Sequence, residues 1–439
     1  MGAAFADLRG WLGFLEDQKQ LVRLRGALDL RYDVPRILEE HDGRAAVVFE
    51  DVDQRRSSVL VGGTLHSRAQ MAQALGVAPT DMLAAYLRAL AQPLAPREVQ
   101  PAQAPVLEVE EPEVRLDLLP APWHHQRDSG AYITAAVAIV RDPATGVQNW
   151  SIHRLQINAA RRVGALILPR HLGHIFAVEE AAGRDLPVAF ALGLPPGLLL
   201  ASQAITAFGV DEAGIAGALL REAIPVVRSP RHGIAVPALA EQLFEGRVLA
   251  GVREPEGPFG EFPRTYGSRG DKPVVEIDAH YHRHEPYFQT ILPASREHML
   301  LGALPREAAV FRAVRHVSPN VRDVALTFAG GCRYHAVIAM APQIAGEAKN
   351  VMLAAFSGAN EIKRVVVVDE DIDVGDAADV EWAIANRVQP QRDVTIVAGA
   401  LGSSLDPSAA AGGVTGKWGI DATIPVGDDR SRYERIRTP

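Results

Sequence analysis

Asn149-Trp150-Ser151-Ile152-His153-Arg154 reads as an extended run. Side chains alternate across a strand, so Asn149, Ser151 and His153 fall on one face and Trp150, Ile152 and Arg154 on the other. A guanidinium that shares a face with Trp and Ile is partly desolvated and requires a carboxylate. A second segment, Glu256-Gly257-Pro258-Phe259-Gly260-Glu261, separates two carboxylates by a turn rich in Gly and Pro. Such a pair divides its roles when the environments differ: a carboxyl bound to Arg stays ionised, and one in an apolar pocket keeps a proton to donate. On the residues alone, a structural salt bridge and two exposed turn acids remain alternative accounts.

A third segment, Pro169-Arg170-His171-Leu172, follows Leu166-Ile167-Leu168 at a strand-to-helix junction. A histidine at a helix start beside an arginine suits a metal or a phosphate. Asn149, His171 and a carboxylate such as Glu212 would give an N/O site for a divalent ion that bridges to phosphate, with Glu222 a rival for the carboxylate place.

Around these segments the pattern divides into three parts. Residues 1–105 read as an N-terminal α/β domain, with strands at Val47-Val48-Phe49 and Val59-Leu60-Val61 and helical spacing over Met82 to Leu90. Ala91 to Pro112 is rich in Pro, Ala and Gln, shows little periodicity and reads as a linker. Residues 106–297 are β-rich, with strands at Tyr132 to Val140, Asn149 to Ile157, Val163 to Leu168 and Pro187 to Leu192, and helices at His171 to Ala182 and Asp211 to Arg221. That pattern predicts a barrel-like sheet with inserted helices. Residues 298–439 alternate helix and strand as a C-terminal α/β domain, so the expected class is α/β (α+β).

With 439 residues, 45 Lys+Arg against 53 Asp+Glu and a net charge of −8, the chain is long enough for several cores and too acidic for a general polyanion binder. No nucleic-acid partner is expected. The single cysteine, Cys332, excludes an intramolecular disulfide and any multi-cysteine metal site, which leaves N and O ligands for a metal. Met1 to Leu15 has neither the basic start nor the apolar core of a signal peptide, and a cytoplasmic protein is expected. Leu186 to Val210 lacks charge, yet Pro195-Pro196 near its middle favours a strand, a turn and a buried helix over a membrane span.

Three further patterns resemble sites without meeting their chemistry. Gly412-Gly413-Val414-Thr415-Gly416-Lys417 has Trp418 where a phosphate loop needs Ser or Thr. Asp369, Asp371 and Asp373 have calcium-loop spacing, but Val374 and Val380 take the glycine and bidentate-acid positions. His124-His125 is a pair without further ligands and reads as structural.

Together the segments Asn149 to Arg154, Pro169 to His171, Gly209-Val210-Asp211-Glu212, Glu222 to Val227, Phe244-Glu245-Gly246, Glu256 to Glu261, Val365 to Asp373 and Ile420-Asp421-Ala422-Thr423 resemble the UbiD-type decarboxylase family, from about residue 106 to 425. The resemblance implies a central split β-barrel that binds prenylated FMN. It implies reversible, non-oxidative decarboxylation of an aromatic, heteroaromatic or α,β-unsaturated acid through a covalent substrate–flavin adduct, CO2 loss and protonation. The family's Glu-Arg-Glu network falls on Glu256, Arg154 and Glu261, with Glu261 the proton donor. Its metal ligands fall on Asn149, His171 and Glu212, with manganese the expected ion and potassium a further one. The flavin contacts fall on Asn149 to Arg154 (Trp150, Ser151, Ile152 and His153 included), Arg170, His171, Ser202 and Glu212. Losing CO2 from an sp2 carbon leaves an electron pair that side chains stabilise poorly, which is why such chemistry needs a cofactor.

The chain departs from the pattern in places. Where fungal ferulate-type members carry a phosphate-contacting lysine, it reads Phe356-Ser357-Gly358-Ala359-Asn360, with Lys349 and Lys363 nearest in sequence, and Arg170 stands where those members have Gln. Arg333, Tyr334 and His335 form a polar group that would suit a second carboxylate or a ring heteroatom, but reads first as a domain-interface or fold-stabilising cluster. The expected partners are a small aromatic or heteroaromatic acid, CO2, a flavin prenyltransferase as cofactor supplier and further copies of the chain, as a homodimer or homohexamer. The competing readings are a non-catalytic flavin-binding subunit of a carboxylase complex and a flavin reductase using ordinary FMN.

Overall fold

In the computed structural model, which describes residues 5–52 and 59–436, Arg154 lies within a long hairpin. Nine strands make the sheet that contains it: β1 (Val109–Glu110), β2 (Tyr132–Ile133), β3 (Val137–Arg141), β4 (Gln148–Ile152), β5 (Leu155–Ala159), β6 (Arg162–Ala165), β7 (Leu186–Leu192), β8 (Gln242–Glu256) and β9 (Gly270–His282). Hydrogen bonding follows the order β2-β5-β6-β9-β8-β7-β3-β4, with β1 on the C-terminal end of β9, and every pairing is antiparallel.

The two ends of that order belong to one hairpin. Ile133 pairs with Leu155 and Val137 with Ile152, so residues 134–136 stand opposite only His153 and Arg154. One extra residue on one strand is the count of a β-bulge, which kinks the ladder and re-aims side chains. The pairings therefore run from the hairpin through β7, β8, β9 and β6 and back to it, giving a rolled sheet split at His153 and Arg154. Asn149 to Ile157, expected as one strand, is two.

Burial explains the composition of these strands. β7 is buried at six of its seven positions because helix His171–Ala181 packs on it and on β8, so it reads as an apolar run rather than an alternation. β8 and β9 cross closely at Gly246, where any Cβ would collide with the Glu276 carbonyl. The uncharged stretch after Leu186 is β7, a turn and the buried helix Pro196–Ala201, and no described helix is long and apolar enough to cross a membrane.

Before this sheet, strands Leu21–Leu24, Ala46–Phe49 and Val59–Gly62 join Tyr287–Thr290 in a four-stranded sheet. Helix Leu8–Asp17 covers it, packing Leu8, Trp11, Leu12 and Leu15 on Ala46, Val48 and Val61. A buried carboxylate, Glu241, ties that helix to the rolled sheet. It receives two bonds of 2.9 Å from Arg9, one of 3.4 Å from Arg283 and the Tyr287 amide at 3.1 Å. The stretch read as a linker is bonded rather than loose: the Arg97 and Val99 amides donate to Ile224 and Val226 at 2.8 Å, and Val109–Glu110 is β1. Proline removes periodicity without removing edge pairing.

Contacts divide the chain into two compact units, Met1–Leu301 and Gly302–Pro439. The second has a five-stranded sheet in the order Val321–Leu326, His335–Met340, Arg364–Asp369, Val414–Ala422 and Val394–Leu401, with helices Glu347–Gly358 and Ala377–Arg387. The aspartate series is structural: buried Arg387 bonds Asp369 at 2.9 Å and Asp371 at 2.7 Å. Lys417 lies in a strand, not a phosphate loop, with its ammonium on the carbonyls of Asn360 (2.8 Å) and Phe356 (3.4 Å).

Glu297, in the first turn of helix Arg296–Val317, is buried against Thr64 and accepts the Gly63 amide at 3.0 Å. Burial pushes its carboxyl up to about 7. A group that binds its proton more tightly when folded favours folding fully below its unfolded value, near 4.5, and loses that contribution as pH rises to about 7. Glu297→Gln is therefore expected to gain stability relative to wild type across that interval, by about 3 kcal/mol at its upper end, read by urea denaturation from pH 4 to pH 8.

Candidate active site

The kink at His153 and Arg154 turns the guanidinium toward the carboxylates at and beyond the end of β8. Arg154 Nε donates to Glu256 Oε1 at 2.9 Å and Nη2 to Glu256 Oε2 at 3.0 Å, a two-pronged pair. Its Nη1 donates to Glu261 Oε1. Glu256 is wholly buried, and Arg154 and Glu261 each expose about a tenth of the side chain. The two carboxylates anticipated from sequence are thus joined through the one arginine, and neither is an exposed turn acid.

Phe259 packs under the arginine, its ring centre 4.8 Å from the guanidinium carbon, and against Tyr132 at 4.3 Å. Tyr132, unremarked in the sequence, donates to Gln156 Oε1 at 2.8 Å and lies 3.3 Å from Glu256 Oε1. Burial raises its phenol pKa, so it stays a neutral donor. Gln156 also accepts the Gly257 amide at 3.0 Å, fixing the start of the glutamate turn. Only a fold places Tyr132 and Gln156 here, because nothing in their local sequence distinguishes them.

At the other end of β4, Asn149 Nδ2 donates to Glu212 Oε1 at 3.1 Å and the Trp150 amide to Glu212 Oε2 at 2.8 Å. Glu212 opens helix Glu212–Leu220, whose N-cap Asp211 accepts the Ala213 amide at 2.9 Å. Burial pushes the Glu212 carboxyl up to about 8. Asn149 Oδ1 is buried with no partner, as are Trp150 Nε1 and Thr206 Oγ1. His171 starts helix His171–Ala181 and packs edge-on against Phe208 at 5.5 Å. Burial, with Arg170 beside it, lowers the His171 pKa and keeps the ring neutral. Asn149 and Glu212 touch, whereas His171 bonds to neither. Among the described residues no group of three or more His, Cys, Asp or Glu stands ready for a metal. An orphaned amide oxygen beside a buried carboxyl fits a hard divalent ion. Glu222, the rival, is exposed.

The remaining anticipated residues take definite places. Ser151 Oγ bonds His153 Nε2 at 2.9 Å, and His153 Nδ1 meets the Leu166 carbonyl at 3.1 Å. Burial lowers the His153 pKa. Ile152 is half-buried at the end of β4, Arg170 stands exposed at the N-cap position of helix His171–Ala181 without a side-chain capping bond, and Ser202 bonds the Leu199 carbonyl at 2.8 Å. His124 is structural, its Nε2 2.9 Å from Thr290 Oγ1.

Models of the N-terminal, Rift-related and C-terminal domains of 3-octaprenyl-4-hydroxybenzoate carboxy-lyase match residues 12–90, 97–296 and 299–422. The chain belongs to the UbiD family. It is 43% identical over 324 residues to an anhydromevalonate phosphate decarboxylase of Methanothermobacter thermautotrophicus, covering 73% of this chain and 76% of that one. Its structure superposes on the UbiD-class enzyme HmfF from Pelotomaculum thermopropionicum in complex with FMN, with a TM-score of 0.96, 47% identity and coverage of 99% and 97%. An evolved dimeric form of HmfF in complex with prFMN gives a TM-score of 0.92 at 45% identity, with the same coverage. This UbiD-family chain is a decarboxylase, and the mixed α/β class expected from its sequence is the family's fold.

Removing the arginine isolates a buried charge. Arg154→Leu is expected to destabilise the UbiD-family chain by about 3–5 kcal/mol. Arg154→Leu combined with Glu256→Leu should recover part of that loss in a denaturant double-mutant cycle.

Proposed function

We propose that the chain is a reversible, non-oxidative decarboxylase of an aromatic, heteroaromatic or α,β-unsaturated carboxylic acid that uses prenylated FMN. The observation that carries this reading is the buried Glu256–Arg154–Glu261 bridge. It spends three of the guanidinium's five N–H donors, leaving one on each terminal nitrogen for a substrate carboxylate. Glu256, gripped at both oxygens, anchors the arginine. Glu261, at the more open side, shares only Nη1 and is the group able to exchange an ion pair for a proton. As the bond to CO2 breaks, its electron pair remains on the substrate carbon; Glu261 then delivers a proton to that carbon and is reprotonated from solvent.

Prenylated FMN, when bound, supplies the electron-accepting centre that this bond cleavage requires. Asn149, His171 and Glu212 would hold a divalent ion, manganese first and potassium in addition, at the flavin phosphate. Arg170 and the start of helix His171–Ala181 add donors there. Trp150, Ser151, Ile152, His153 and Ser202 line the path between phosphate and Arg154. The orphaned atoms of Asn149, Trp150 and Thr206 support a polar occupant of this region. A flavin prenyltransferase supplies the cofactor, and self-association is in keeping with the dimeric relative.

Both carboxylates are in place on the arginine, which favours a catalytic chain over a non-catalytic flavin-binding subunit. The relatives' anhydromevalonate phosphate is the second substrate class to test beside small aromatic and heteroaromatic acids. Co-production with a flavin prenyltransferase, followed by assay of CO2 release across both classes, tests the reading. Wild type should turn over at least one class, and Glu261→Gln should lose about a hundredfold or more in kcat. Full activity in that variant, or no modified flavin in the purified protein, overturns it.

A further inference from the structure

The turn that carries Glu261 is held from outside by a segment that the mechanism above does not use, residues 124–129. Asp128 is 3% exposed. Its Oδ1 accepts the Gly260 amide at 2.8 Å and its Oδ2 the His125 amide at 2.9 Å. The Ser129 amide donates to the Pro258 carbonyl at 3.0 Å, so the segment grips the backbone on both sides of Phe259. It also reaches the returning strand of the small hairpin, in which Gly260 pairs with Tyr266. Arg127 donates its amide to the Tyr266 hydroxyl at 3.2 Å and stacks on that ring at 4.8 Å, and the His125 ring meets Tyr266 edge-on at 6.5 Å. The approach is so close that a Cβ at Gly260 would sit 2.5 Å from His125 Nδ1. On the hairpin side, the Glu261 amide bonds the Thr265 carbonyl at 2.9 Å, and a Cβ at Gly267 would lie 3.1 Å from Glu261 Oε1.

We propose that Asp128 is a positioning residue for Glu261. Its carboxylate fixes the Gly260 amide, and through one peptide unit that fixes where the Glu261 side chain leaves the backbone. A buried side chain whose two oxygens each take a backbone N–H is a directional clamp. It touches neither arginine nor substrate, so its effect reaches the chemistry only through the placement of the glutamate. Misplacing a reacting group by about 1 Å costs about a hundredfold in rate. The proposal rests on Glu261 being the proton donor, and it predicts that Asp128 serves protonation and not CO2 release.

The test compares holoenzymes of wild type, Asp128→Ala, Asp128→Asn and Glu261→Gln on one accepted acid, following first-turnover CO2 release and steady-state product formation separately. Asp128→Ala should keep first-turnover CO2 release and KM while losing about a hundredfold in product formation. Asp128→Asn should lose less, because its amide keeps one acceptor for Gly260 but turns an N–H toward the His125 amide. In the chain without flavin, hydrogen exchange over the peptide containing Gly260 should quicken in Asp128→Ala. Unchanged product formation in Asp128→Ala, an equal decline of both rates, or unchanged exchange at Gly260 overturns the proposal; should Asp128→Ala not fold, the same criteria apply to Asp128→Asn. Full activity in Glu261→Gln instead overturns the proton-donor reading beneath it.

Discussion

A guanidinium taken out of water is the constraint around which the first unit is arranged. Arg154 keeps about a tenth of its side chain exposed, so its charge must be met by acceptors that are themselves buried and fixed. Two carboxylates meet it, and each is supported in turn. Glu256 ends β8 with Tyr132 alongside, and Glu261 sits in a turn gripped by Asp128 and by its own hairpin. The arginine reaches them only because the sheet is split at His153 and Arg154, where regular alternation would have sent the side chain elsewhere.

β4 separates two chemically different ends. At Asn149 the environment is oxygen-rich, with the Glu212 carboxyl, its pKa raised by burial, accepting the Asn149 amide and the Trp150 backbone N–H. At Arg154 it is a closed set of opposite charges over an aromatic ring. Five residues of extended chain span at most about 17 Å, so the run from Asn149 through β4 to Arg154 keeps these two ends close together.

Much of this was legible in one dimension. The apolar run read as one strand from Tyr132 to Val140 is divided by the bulge into β2 and β3, whereas the run at Pro187 to Leu192 and the helix beginning after Asp211 follow directly from periodicity and capping. The Asn149 to Arg154 and Glu256 to Glu261 segments stood out because charged groups are set among Trp, Ile, Phe and Pro, an expensive arrangement unless paired. Two look-alike patterns were set aside on their own residues, whereas the linker reading misled. Asp369, Asp371 and Lys417 mimic ion and phosphate sites because short spacings recur by chance, and their real partners, Arg387 and the Asn360 carbonyl, are remote in sequence. The Ala91 to Pro112 stretch has edge strands too short to show a period.

The sequence by itself determined which residue types had to be reconciled: one arginine with two glutamates, one asparagine with an acid, and a chain whose single cysteine left metal chemistry to nitrogen and oxygen. It also determined the alternation of strands and helices, since burial imposes its period locally. The tertiary structure decided what met what. It bent the strand at Arg154, chose Glu212 over Glu222 beside Asn149, and brought Tyr132, Gln156 and Asp128 to the glutamates. Those choices depend on register and on close approaches such as Gly260 against His125, which involve residues far apart in the chain and so leave no local pattern to read.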